Sequence, residues 1–326
     1  MLEQKDCVNA ELSMENMPLI TIAIPAYKTE FLAQAIQSAL AQTYSKYEIL
    51  VVDDCSPNDV KAVVDSFSDE RITYYRNEVN LGKNDPSRNW QRCLELARGE
   101  YICILCDDDI YGPEYLQTLV NLARRYPSCS AFRCGVSEID DQGRVCKYYP
   151  LAPEYSNVEE YIWHYFSRKN HQTMSEWMLK TSSLKAMGGY VACPVAWGSD
   201  CSTIYMLAEH GGIVSSPSRL MCFRQSKVNI TGQRFRFIPQ KVLGWQHQCR
   251  TALEIMDKSK HPDREMIVRV VDHEYKKGRR NLFKRASAWD LCSMLRHRQK
   301  YGLSIPFFIL MMLRNPLWHI IAKRKK

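Results

Sequence analysis

The chain has 326 residues, 45% hydrophobic and 25% charged, with a net charge of +8, a balance ordinary for a globular protein. Its length suits one large domain with an appendage, or two domains. The thirteen cysteines are scattered and lack paired metal-site spacing, and Met1 to Met17 is polar with no apolar signal segment, so a disulfide framework, a zinc site and secretion are all disfavoured.

The charge is unevenly spread. Residues 1–232 carry 22 basic and 29 acidic side chains, whereas residues 233–326 carry 22 basic and 7 acidic ones. An excess of +15 in the last third points to an anionic partner there: a membrane surface, nucleic acid or an acidic substrate.

In chain order, Leu19 to Ile24 predicts a core strand ended by Pro25, and Phe31, Leu32, Ala35, Ile36, Ala39 and Leu40 repeat at helical spacing. Glu48 to Val52 is a second strand that runs into Asp53 and Asp54. Ser56 followed by Pro57 predicts a helix cap and first helical position, with the helix continuing to Phe67. Ile72 to Tyr75 is a short third strand. A loop through Asn80, Leu81, Gly82 and Lys83 leads into a helix over about Ser87 to Arg98.

The next strand begins at Tyr101 and ends in Asp107-Asp108-Asp109, with Pro113 opening a helix beyond it. Three adjacent acids repel one another, so folding gains nothing from them unless a cation neutralises the cluster. At the carboxyl end of a parallel strand they lie where open α/β sheets bind ligands. Hard oxygen ligands suit Mg²⁺ or Mn²⁺ bridged to a diphosphate. A solvated acidic loop is the plain alternative. Cys103 and Cys106 form the one CxxC, but strand residues three apart face opposite sides, so both read as reduced thiols.

The order β-α-β-α-β-α-β predicts a parallel sheet with right-handed crossovers and helices on both faces. No Walker phosphate loop and no G-x-G-x-x-G follows the first strand, which disfavours ordinary nucleoside triphosphatases and dehydrogenases.

The ordered segments Ile24-Pro25-Ala26-Tyr27, Ala39 to Tyr44, Glu48 to Ser56, Asn80-Leu81-Gly82, Arg88-Asn89, Ala97 to Ile102 and the acidic triplet resemble family 2 glycosyltransferases across about residues 18–225. The resemblance implies a GT-A fold, a Rossmann-like mostly parallel sheet, here with a helical basic C-terminal region. It implies a nucleotide contacted from Pro25 and Tyr27, with Tyr27 stacked on uracil or another base and Asp54 hydrogen-bonded to it. Lys83 and Arg88 would lie near the nucleotide, Asp108 would bind the metal, and Asp107 would contact ribose or metal with Asp109 as third member. In the family an acid often stands where this chain has Cys106, so the acids here fall one place later.

Further on, Ala131 to Ile139 and Arg144 to Tyr149 flank a turn at Asp140 to Gly143, and Glu160 to Arg168 reads as a helix rich in aromatics. Met187-Gly188-Gly189-Tyr190 and then Gly198-Ser199-Asp200 open a helical run from Cys201 to His210. Asp200 resembles the family's acceptor-side base, and its plain alternative is a helix cap. Arg224, ending a strand from Leu220, resembles an arginine that helps hold the diphosphate; a surface arginine is the alternative. His164, His171 and His210 show no ligand spacing.

Pro239 to Met256, Pro262 to Lys284 and Ala288 to Lys300 predict basic helices. Leu303 to Ile321 is apolar but interrupted by Arg314, Asn315, Pro316 and His319, and it ends in Lys323 to Lys326. This suits a helix in the membrane interface rather than a span of about 20 apolar residues. A buried packing helix with a solvated tail is the alternative.

The boundaries expected are an extension over 1–17, a glycosyltransferase domain over 18–232 with nucleotide (18–112) and acceptor (113–232) halves, and a membrane-associating region over 233–326. The expected activity is inverting transfer from a nucleoside-diphosphate sugar, a UDP-sugar by preference, to a glycan or lipid-linked saccharide in cell-surface polysaccharide synthesis. It would use Mn²⁺ or Mg²⁺, at the cytoplasmic face of a membrane, with no nucleic-acid partner. A sugar-phosphate nucleotidyltransferase, or a non-catalytic membrane-bound protein of the same fold, is the rival reading.

Overall fold

The computed structural model describes residues 17–226, 232–233, 235–301 and 306. Strand β1 (Ile20–Ala26) pairs in parallel with β2 (Tyr47–Asp53) on one side and β4 (Tyr101–Ile104) on the other, and β3 (Ile72–Arg76) pairs in parallel with β2. The alternation of the strands divides their side chains between two cores. Ile20, Ile22 and Ile24, with Ile49, Val51, Cys103 and Leu105, join helices α1 (Leu32–Leu40), α2 (Val60–Asp65) and α4 (Tyr115–Arg125). Ala23, Leu50, Val52, Ile102 and Ile104 face the other way, towards α3 (Ser87–Leu96). Cys103 packs in the first core and Cys106 against the second, as strand spacing requires, and both are free thiols.

The sheet continues in a way the sequence did not announce. β5 is the two-residue strand Ile110–Tyr111, β6 (Ala131–Ile139) forms the expected hairpin with β7 (Val145–Tyr148), and β8 is Tyr155–Ser156. β9 (Trp177–Lys180) lies antiparallel between β4 and β6, and β10 (Ile213–Arg224) runs parallel to β6. The order is β3-β2-β1-β4-β9-β6-β10-β5, so strands from residues 18–112 and from residues 113–232 share one mostly parallel sheet.

Helix α5 (Val158–Phe166) starts on a capping box between Asn157 and Glu160. α6 (Thr181–Ala186) and α7 (Ser199–Ala208) follow, then the long helices α8 (Ile238–Lys258) and α9 (Arg264–Arg285) and the short α10 (Ala288–Arg296). α8 and α9 bury Cys249, Ala252, Ile255, Met256, Ile267 and Val271 in the second core, beside α5 and α7. A third, smaller core joins Ile238 and Val242 to Phe283, Leu291 and Met294.

α2 begins at Val60, not at Pro57. Ser56 is not its cap, because the Ser56 hydroxyl donates to the Tyr27 carbonyl at 2.6 Å, while the Asp59 carboxylate accepts from Ala62 N at 2.9 Å. Among the described residues no helix is long and apolar enough to cross a membrane. The expected interfacial helix over 303–326 falls outside the described residues apart from Pro306.

Candidate active site

The strand ends of β1, β2 and β4 bring Tyr27, Asp54 and the acidic triplet to one edge of the sheet. Pro25 lies within β1, opposite Val52 of β2, and directs the chain into Tyr27, whose side chain is exposed. The backbone N–H groups of Tyr27 and Lys28 donate to Asp107 Oδ2 at 3.0 and 2.8 Å.

The triplet divides. Lys28 Nζ lies 3.2 Å from Asp107 Oδ1 and 2.7 Å from Asp108 Oδ2, so one ammonium sits between two carboxylates. Burial works against that ammonium, but the two carboxylates overcome it and hold its pKa well above the usual lysine range. Burial raises the Asp107 pKa, opposed by Lys28 and the N–H groups of Lys28 and Tyr27. Asp109 faces protein instead, accepting Ser175 Oγ at 2.5 Å and Arg224 N at 2.9 Å. Burial, then the charge of Asp108, pushes the Asp109 pKa up to about 8. Among the described residues no group of three His, Cys, Asp or Glu side chains is placed to hold a metal ion. The expected three-acid set is therefore not assembled, because Asp109 is committed to Ser175 and the Arg224 backbone.

The remaining pair nevertheless fits Mg²⁺ or Mn²⁺. Its donors are hard carboxylate oxygens, it already grips a cation, and these ions commonly take one or two carboxylates with the rest of the shell from phosphates and water.

Arg224 is neither exposed nor turned to an open surface. It is 0% exposed, and its guanidinium donates to the carbonyls of Asp108 and Asp140, both at 2.9 Å, and to Gln34 Oε1 at 2.7 Å. A surface arginine is thereby ruled out. Its contacts fix the backbone of the triplet.

Asp54 is buried and its carboxylate supports the loop before α3. Oδ1 accepts Asn77 Nδ2 at 2.9 Å and Leu81 N at 2.8 Å, and Oδ2 accepts Gly82 N at 2.7 Å. A Cβ at Gly82 would meet that oxygen at 2.7 Å, so the close approach requires glycine. The same loop carries Lys83, and α3 carries Arg88; both side chains are exposed.

The segment leading to Asp200 is anchored to this loop, since Val195 N donates to Asn84 O at 2.8 Å. Gly198, at φ 84°, precedes α7 and is packed against Gly244 and Gln248 of α8. Asp200 is half-buried in the first turn and is not the N-cap residue. Burial raises its carboxyl to about 6, against the pull of the N–H groups of Cys201 and Asp200 itself.

Two further residues escaped the sequence reading. Arg133 NH2 lies 2.9 Å from Glu176 Oε1 in a fully enclosed ion pair, and Arg133 NH1 also donates to Tyr161 and Asn170. Burial lifts Glu176 to about 8, with Arg133 opposing and the charge of Asp200 adding to the rise. Ser175 and Glu176 are adjacent, so one chain segment meets Asp109 with the first and Arg133 with the second. The available signal was a charge inside each of two apolar runs, Ala131 to Ile139 and Glu176 to Leu179. Nearby, the buried Asn170 Nδ2, Gln172 Nε2 and Trp177 Nε1 have no hydrogen-bond partner.

Residues 21–179 match Glycosyl transferase family 2. That match takes in just under half of the chain, and it is to this family that the chain is similar. Over 110 residues it is 40% identical to the putative colanic acid biosynthesis glycosyl transferase WcaA of Escherichia coli K12, covering 33% of this chain and 38% of that protein. The chain spans less than half the length of the curated relatives most similar to it. The mannosyltransferase PcManGT of Pyrobaculum calidifontis, solved with GDP-Man and Mn²⁺, superposes with a TM-score of 0.55 at 17% identity, covering 92% of this chain and 80% of that one. TarS 1-349 of S. aureus, solved with UDP-GlcNAc, gives 0.55 at 12% identity over 84% and 83%. The fold is GT-A, as the resemblance implied.

Proposed function

We propose that the chain is an inverting glycosyltransferase that moves a sugar from a nucleoside-diphosphate donor, a UDP-sugar by preference, to a glycan or lipid-linked saccharide acceptor in cell-surface polysaccharide synthesis. The observation that carries this reading is the pairing of Asp107 and Asp108 around the Lys28 ammonium together with a third carboxylate, Asp200, raised to about 6 by burial. The WcaA relative supports the pathway class, and the nucleotide-sugar complexes of the structural neighbours support the donor class.

Asp107 and Asp108 would hold Mn²⁺ or Mg²⁺, which would offset the charge of the departing diphosphate. Tyr27 offers an exposed ring to the base, and Asp54 fixes the loop beside it. Lys83 and Arg88 bring exposed positive charge to the phosphates. Arg224 acts through the triplet backbone it clamps, and Asp109 through Ser175. Asp200 takes the proton from the acceptor hydroxyl as that oxygen attacks the anomeric carbon on the face opposite the diphosphate, which inverts the centre.

The test is a panel of nucleotide-sugars, with and without Mn²⁺, scored for donor hydrolysis and for the anomeric configuration of any product. Metal-stimulated cleavage of one donor is expected. Cleavage of none, or a retained configuration, would overturn the reading.

Residues 303–326 are proposed to hold the enzyme to the cytoplasmic face of a membrane. Their apolar run ends in four basic residues, and the excess of +15 over residues 233–326 favours an anionic surface. Each Lys or Arg near such a surface adds about 1 kcal/mol, decaying within a Debye length. Cosedimentation with liposomes should therefore require acidic lipid and weaken with salt; equal binding to neutral vesicles would refute it.

A further inference from the structure

Two cationic side chains meet the acidic triplet, and they are built differently. Arg224 is 0% exposed and immobilised on two carbonyls and Gln34, so it cannot leave without dismantling the clamp. Lys28 is anchored by its backbone N–H to Asp107, but its side chain is 32% exposed and its ammonium is held by the carboxylates of Asp107 and Asp108 rather than by a buried clamp of carbonyls. Its ammonium occupies the space between Asp107 Oδ1 and Asp108 Oδ2, where a divalent ion using both carboxylates would sit.

Two cations cannot share that space. Like charges repel steeply at such separations. An arriving metal must therefore displace the ammonium, and without nucleotide it gains only two carboxylates for doing so. A diphosphate changes the balance on both sides. It gives the metal further oxygen ligands, and it offers the displaced ammonium a new anionic partner beside its starting point.

We propose that Lys28 is an internal counter-ion that competes with the divalent metal and makes metal binding conditional on the nucleotide. The inference rests on Asp107 and Asp108 being the metal-binding pair. Because coupling is reciprocal, the factor by which UDP tightens Mn²⁺ equals the factor by which Mn²⁺ tightens UDP.

The experiment titrates full-length protein with Mn²⁺, following free ion by electron paramagnetic resonance, with and without UDP. The wild type is compared with Lys28→Met, Lys28→Arg and Asp108→Asn, each checked by circular dichroism. Lys28→Met should bind Mn²⁺ alone up to about fivefold more tightly than wild type, the scale of losing one partly exposed charge contact. Its gain from UDP should shrink by a similar factor, and Lys28→Arg should stay near wild type. If Asp108→Asn abolishes Mn²⁺ binding while Lys28→Met matches wild type, Lys28 does not compete and the metal assignment stands. If Asp108→Asn leaves Mn²⁺ binding intact, the metal assignment itself falls, and the role of Lys28 with it.

Discussion

An Asp108→Ala enzyme should lose sugar transfer by a factor of about 10²–10³ or more, the loss expected when a group organising transition-state charge is removed. It should also bind UDP more weakly in the presence of Mn²⁺, and no more weakly in its absence. The fold should survive, because Arg224 grips the Asp108 carbonyl and not its carboxylate. Stability at neutral pH should hold or rise, since the Asp108 charge is one cause of the raised Asp109 carboxyl. Lys28 keeps Asp107 as a partner at 3.2 Å. Thermal melting separates these outcomes from simple unfolding, and calorimetric UDP titration with and without Mn²⁺ reads the metal effect. Unchanged turnover and UDP affinity would remove Asp108 from the metal site.

The strands that shape this site were legible because their chemistry is local. The apolar runs of β1, β2 and β4 end directly at the edge where Tyr27, Asp54 and the triplet come together, so reading the runs placed these residues at one edge of the sheet. The long basic helices α8 and α9 were equally plain from composition and spacing. What could not be read is what depends on distant partners. β9 offers only Trp177, Met178 and Leu179 as an apolar run, and its place between β4 and β6 is set by pairing far along the chain. Ser56 looked like a cap because nothing local revealed that its hydroxyl belongs to Tyr27. The division of labour in the triplet follows from Ser175, Arg224 and Lys28, which lie 66, 115 and 80 positions from the acids they bind. No spacing rule joins such residues; only the folded sheet does.

An Asp200→Asn enzyme should be both slower and more stable. Loss of a general base lowers the rate by about 10²–10⁴. A buried but non-catalytic Asp200 would give the same stability gain with an unchanged rate, so the rate separates the two roles; Gly198, not Asp200, is the N-cap residue of α7. The stability change follows from the direction of the shift. Burial raises the Asp200 carboxyl from 3.8 to about 6, so the folded state disfavours its ionised form. Its contribution to stability is therefore largest below the unfolded pKa and declines as pH rises through about 6. Asn carries no charge at either pH, so the variant escapes this penalty, by up to about 3 kcal/mol at pH 7. The gain should shrink to about 0.5 kcal/mol at pH 4, where the wild-type carboxyl is protonated in the fold. The same shift fixes the rate profile: wild-type kcat/KM should fall tenfold per pH unit on the acid side of about 6, because the base must be ionised to accept a proton. Donor binding should stay near wild type, since the proton is taken from the acceptor. Denaturant melts at pH 4 and 7, with initial rates across pH 4.5–8, read all three effects. A wild-type rate in Asp200→Asn, or an acid limb centred near the ordinary aspartate range, would remove Asp200 as the base.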